Sequence, residues 1–146
     1  MKRSCFLTVT TIFLTLILAA GLALAQDVKT YMDQGIENCE KGHYDQAIKD
    51  FNQALKLKPN DAAIITFRGV AKYAKGQLDQ ALADFEQAIK LNANHGKAYY
   101  QRGMIYENRQ QYGKAVEDIK KAKSLGYHVE TDWIKNLERK AAAEKK

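Results

Sequence analysis

The chain is predicted to be all-α, a solenoid of three helix–turn–helix units closed by one further helix. Three observations carry that prediction: identities that recur every 34 residues, glycines placed where helices must end or approach closely, and an amphipathic last segment. Gly35, Gly69 and Gly103 are spaced by 34, as are Ala47, Ala81 and Ala115, and again Ala54, Ala88 and Ala122. Phe51 and Phe85 lead at the same interval to Ile119, with Asp50, Asp84 and Asp118 in step beside them. So many coincidences at one period mark stacked helix pairs, none of which can bury its apolar face alone.

Each class of repeated position has a physical reason. Gly35, Gly69 and Gly103 fall inside a helix, where glycine costs about 1 kcal/mol relative to alanine. They are expected there for room, because a side chain would push apart two closely crossing helices. The alanines do the same on the second helix of each unit, and Phe51 and Phe85 fill the wedge between neighbouring helix pairs. Gly42 and Gly76 end the first helix by a left-handed residue, with Gln110 in the third place. Pro59-Asn60-Asp61 stops the second helix and offers Asp61 as the next N-cap. In the last segment Thr131 or Asp132 is the expected cap. Trp133, Ile134, Leu137 and Ala141 form an apolar stripe, opposite Lys135, Glu138, Arg139 and Glu144. Such a stripe covers the core face that a terminal repeat leaves open, and Trp133 is assigned to that packing.

The N-terminus reads as a targeting segment. Lys2 and Arg3 precede an apolar run densest from Ile12 to Leu24, and Ala23-Leu24-Ala25 supplies the small residues of a cleavage site. Residues 1–25 are therefore expected to be a signal peptide, and the protein to be exported, periplasmic or secreted. The alternative is an uncleaved anchor, since Cys5 to Leu24 approaches the roughly 20 residues that span a bilayer. Membrane contact is expected only in that case. Thr8, Thr10, Thr11 and Thr15 dilute the run. Losing Lys2 and Arg3 leaves 21 cations against 17 acids. They are mixed along the helices, so no nucleic-acid partner is expected. Cys39 is the one cysteine left, which excludes an internal disulfide and leaves stability to packing.

With the repeat positions identified, the chain resembles the tetratricopeptide repeat family from Val28 to about Val129. The repeats are 28–61, 62–95 and 96–129 within a region 26–129, followed by a capping helix and basic tail over 130–146. Tyr31, Ile65 and Tyr99 stand at the family's large first-helix position, and Tyr44, Leu78 and Tyr112 at the residue opening the second helix. Departures are Ala93 and Tyr127 at the closing proline, Asn108-Arg109-Gln110 at the third turn, and Asn38 and Lys72 in place of a late tyrosine kept as Tyr106.

The resemblance implies a right-handed solenoid whose first helices line a concave, partner-binding groove. Its lining positions are Lys29, Met32, Ile36 and Cys39, then Ala63, Thr66, Val70 and Tyr73, then Lys97, Tyr100, Met104 and Glu107. They are mostly apolar and aromatic, a character suited to adaptable protein contacts. Family members that clamp a C-terminal carboxylate carry lysine and asparagine where this chain has Met32 and Ile36. Lys97 matches a clamp lysine, but Gln101 replaces its basic companion. The expected partner is therefore an apolar peptide or helix segment of another protein. A competing expectation is that several of these residues cover one another or touch the capping helix.

Motifs of catalysis are missing. Ser124 and Cys39 have no sequence-local base, and the three histidines (His43, His95, His128) lack metal-ligand spacing. Cys39 and His43 are four apart, but Gly42 interrupts the helix. No phosphate-binding glycine loop is present. The expectation is a binding scaffold, not an enzyme, with no cofactor and no metal. Self-association by end-to-end stacking, and tethering to an envelope complex through a retained N-terminus, stand as alternatives.

Overall fold

The computed structural model describes the backbone of residues 2–144 and the side chains of residues 17–144. Seven helices and no strand occur among the described residues: α1 (Lys2–Glu40), α2 (Tyr44–Leu57), α3 (Ala62–Ala74), α4 (Leu78–Leu91), α5 (Gly96–Asn108), α6 (Tyr112–Ser124) and α7 (Thr131–Ala143). They form the predicted all-α solenoid. The first helix is longer than one repeat supplies, because the N-terminal segment runs into repeat one without a break. The side chains of residues 1–16, where most of the expected signal peptide falls, lie outside the described residues, as do Lys145 and Lys146 of the tail. Among the described residues no helix is long and apolar enough to cross a membrane.

Within each pair the turn is set by one repeated device. Gly42 and Gly76 have φ of +76° and +85°. Their N–H groups donate to the Cys39 and Tyr73 carbonyls, and the following His43 and Gln77 donate to Asn38 and Lys72. This double closure satisfies the last carbonyls of the helix. His43 and Gln77 are at once the N-caps of α2 and α4, so one helix ends where the next begins. The third repeat makes the same turn with Gln110 at φ 58°, a strained conformation for a residue with a side chain. Asp61 caps α3 as expected, accepting from the N–H groups of Ala63 and Ile64. At α7 the cap is Glu130, without a side-chain bond, so the expected capping by Thr131 or Asp132 is not realised. Those residues are already in the first turn, and Thr131 Oγ1 accepts from Lys123 Nζ instead.

The repeated glycines and the large residues of the second helices are two halves of one contact. A Cβ on Gly35 would lie 2.5 Å from the Phe51 ring, one on Gly69 2.6 Å from Phe85, and one on Gly103 2.7 Å from Ile119. Ala47, Ala81 and Ala115, like Ala54, Ala88 and Ala122, are fully buried. Phe51 also stacks on Phe67 of the next pair, with centroids 6.0 Å apart, filling the wedge as predicted. Burying a side chain of this size contributes about 1.5–3 kcal/mol, repeated at each junction.

Two ionic patterns repeat with the helices. The buried carboxylates of Asp84 and Asp118 each take a forked pair of bonds from Arg68 (2.9 and 2.6 Å) and Arg102 (2.7 and 2.8 Å). Lys72 also reaches Asp84, at 2.8 Å. In repeat one the equivalent Asp50 is held by amides, from Asn38 at 2.7 Å and Gln46 at 2.9 Å. A second pattern links neighbouring pairs: Asp45 of α2 accepts from Lys75 at the end of α3, and Asp79 of α4 from Arg109 at the end of α5. The next position in that series is Gly113, on α6, which α7 follows.

Candidate functional site

The two layers of the solenoid are not equivalent. Neighbouring first helices touch directly, α1 with α3 and α3 with α5, while neighbouring second helices come into marginal contact at most. The closer layer of a curved two-layer array is its inner one, so α1, α3 and α5 form the inner face.

On that face the twelve sequence-predicted residues separate into two groups. Lys29 and Ala63 are exposed, and Met32, Ile36, Cys39, Val70, Tyr73 and Met104 are half-buried. Met32, Ile36 and Cys39 lean on the Phe51 core, and Val70 and Tyr73 on the Phe85 core, so each presents a remaining apolar surface from a rigid base. Burial pushes the Cys39 thiol above its ordinary range, which makes it a poor nucleophile.

The second group is already engaged. Thr66 is 0% exposed and its hydroxyl donates to the Ala62 carbonyl at 2.7 Å, so it packs inside the array and offers no surface. Its expected place in the groove is corrected on that ground. Lys97 sets its Nζ 3.8 Å from the centroid of Phe67, and burial lowers its pKa. Tyr100 packs against Tyr127 (4.8 Å) and edge-on to Trp133 (5.5 Å). Glu107 accepts from Trp133 Nε1 at 3.1 Å and from Lys140 Nζ at 3.0 Å. The capping helix thus occupies the third-repeat end of the inner face, and Trp133 packs on repeat three as its helical spacing implied.

Sequence reading missed the Arg68 and Arg102 forks, although the signal was available: both arginines recur at 34 and precede their aspartate by 16. It also missed the part Tyr127 plays, noting it only as a departure from the closing proline, whereas its ring packs on Tyr100. No group of three His, Cys, Asp or Glu able to hold a metal occurs among the described residues.

Comparison with known proteins places this architecture. Tetratricopeptide repeat models match residues 28–61 and 96–125, and a TPR repeat model matches 69–110, together more than half of the chain. No curated protein sequence matches. The first TPR of Spaghetti (RPAP3), solved with an HSP90 peptide, is 22% identical with a TM-score of 0.72, over 83% of this chain and 95% of that one. The TPR2B domain of yeast Sti1, solved as a pHsp70 complex, is 23% identical with a TM-score of 0.70, over 82% and 98%. The TPR domain of Arabidopsis OM64 is 21% identical with a TM-score of 0.72, over 83% and 98%. At these identities the likeness is one of fold. Repeat period, turn geometry, glycine–aromatic packing and family models agree, and the chain belongs to the tetratricopeptide repeat family.

Proposed function

We propose that this protein is an exported scaffold that holds an apolar segment of another protein on the inner face of α1, α3 and α5. The carrying observation is the row of half-buried apolar side chains Met32, Ile36, Val70, Tyr73 and Met104, which crosses all three repeats. Adaptable thioethers and an aromatic on a fixed backbone suit a partner whose contacts are apolar. Two proteins of this fold hold chaperone-derived segments, HSP90 for Spaghetti and pHsp70 for Sti1, which supports peptide capture as the use of this surface. A free carboxylate is a poor match here, because Met32 and Ile36 carry no charge and Lys97 is committed to Phe67. The reading is one of binding without catalysis, in keeping with a face built of packing residues.

A photocrosslinking residue at Tyr73, compared with one at Gln53 on the outer layer, tests the assignment in the native compartment. The expected result is a discrete protein adduct from position 73 alone, lost when Met32 and Met104 are changed to serine with helicity intact. Equal adducts from both positions, or none from 73, would overturn it. Export is tested separately by intact mass: loss of residues 1–25 supports the signal-peptide reading. A retained N-terminus favours tethering, a second reading supported by the exposed Ile17, Leu18, Leu22 and Leu24 on the leading part of α1.

A further inference from the structure

We propose that the cleft between the capping helix and the third repeat takes a cationic side chain, an arginine or lysine of the bound partner segment. The cleft encloses about 290 Å³ and is lined by Tyr100, His128, Val129, Glu130 and Trp133. Two of these are aromatic rings fixed in place. Tyr100 is backed by Tyr127 at 4.8 Å, and the Trp133 indole is held by its Nε1 bond to Glu107. Ring faces attract cations through their quadrupole, and most strongly where the rings need not reorganise. The third feature is charge. Glu130 forms no ion pair among the described residues and makes no capping bond to α7, so its carboxylate is available to the cleft. Its field reaches Tyr100, helping burial and Tyr127 to raise the phenol's pKa. No lysine or arginine lines the cleft, and the one rim group able to become cationic, His128, is exposed.

The cleft therefore offers two aromatic rings and one carboxylate around a space that an apolar side chain would leave electrostatically unmatched. Tyr100 belongs both to this cleft and to the inner face, so the proposal deepens the scaffold reading by adding a basic residue to the apolar segment. It rests on that reading only for the source of the cation.

Trp133 is the sole tryptophan of the chain and lines the cleft, so its fluorescence reports occupancy directly. The probes are N-acetyl-arginine methylamide and N-acetyl-lysine methylamide, against the neutral citrulline and norleucine amides and tetramethylammonium. A net-positive chain does not attract these cations non-specifically, so a saturable signal reports a site. The expected result is saturation by the basic amides at concentrations on the order of millimolar, with the neutral amides inert. Glu130→Gln should weaken binding by roughly two- to fivefold. That change leaves the fold intact, since the Glu130 side chain is exposed and makes no capping bond, and the backbone carbonyl that accepts from Ile134 is kept. Glu117→Gln on the outer side of α6 should leave the affinity unchanged. Equal binding of citrulline, no saturation, or an unaffected Glu130→Gln affinity would overturn the proposal. Tetramethylammonium binding well above both amides would also overturn it, by favouring a free quaternary amine. Failure of the Tyr73 crosslink alongside success here would leave the cleft standing and remove the groove.

Discussion

At the scale of single residues, the departures from the repeat pattern matter more than the matches. Gln110 occupies the left-handed position that Gly42 and Gly76 fill in the other repeats. A side chain costs about 1–2 kcal/mol there. Gln110→Gly is therefore expected to stabilise the protein by about 1 kcal/mol, read as a higher urea midpoint at unchanged slope. His95 is a second departure. It caps α5 without a side-chain bond, its Nε2 is buried with no partner, and burial followed by Lys97 lowers its pKa, against a smaller opposing pull from Asp61. A folded-state value below the ordinary 6.5 means that the unfolded chain binds this proton first. The stability contributed is complete above about pH 6.5 and declines as pH falls through that value towards the lowered one. Denaturant titrations from pH 7.5 to 5 should show this decline, and His95→Gln should flatten it. An identical decline in the variant would assign the effect to other groups.

Between elements, the junctions divide into those legible in the sequence and those not. The glycine–aromatic contacts were legible because both partners recur at 34 and glycine inside a helix demands a steric reason. Asp61 was legible because an aspartate after Pro59 has one obvious task. The capping of α7 was misjudged by one or two residues: Thr131 and Asp132 have the right chemistry, but the backbone enters the helix at Glu130. The inner face was legible only in part. Helical spacing places Thr66, Lys97, Tyr100 and Glu107 on the proper side of their helices. What it does not contain is the packing that buries Thr66, nor the approach of α7, which is distant in sequence and outside the repeat. Ending the chain after Val129 is expected to uncover Tyr99, Tyr100 and the Ile119 core, on which Ile134 and Leu137 pack. The truncated protein should associate as concentration rises in sedimentation velocity, while the full repeat region with α7 stays monomeric. Monomeric behaviour of both would mean that α7 is dispensable as a cover.

For the whole molecule, charge and stacking act at different ranges. From Arg109 onward ten lysines and arginines stand against six acids, while residues 26–108 carry eleven of each. The cationic excess thus sits at the capped end, and the repeats before it are balanced. Between units, apolar packing supplies the adhesion and the surface Asp45–Lys75 and Asp79–Arg109 pairs add a smaller, directional link, each an acid on one unit met by a cation on the next. Repeats one and two both carry a cation and an acid at these positions, Lys41 with Asp45 and Lys75 with Asp79. Only repeat two uses both across junctions, since Lys41 pairs with Glu37 of its own repeat. Repeat two is thus a tile with complementary edges, whereas repeat three presents Gly113 on its outer edge and lacks the acid half of the link. The solenoid carries its own punctuation. Copying residues 62–95 in place would lengthen the sentence with every link kept, and appending the same tile after repeat three would leave Lys75 of the copy facing Gly113.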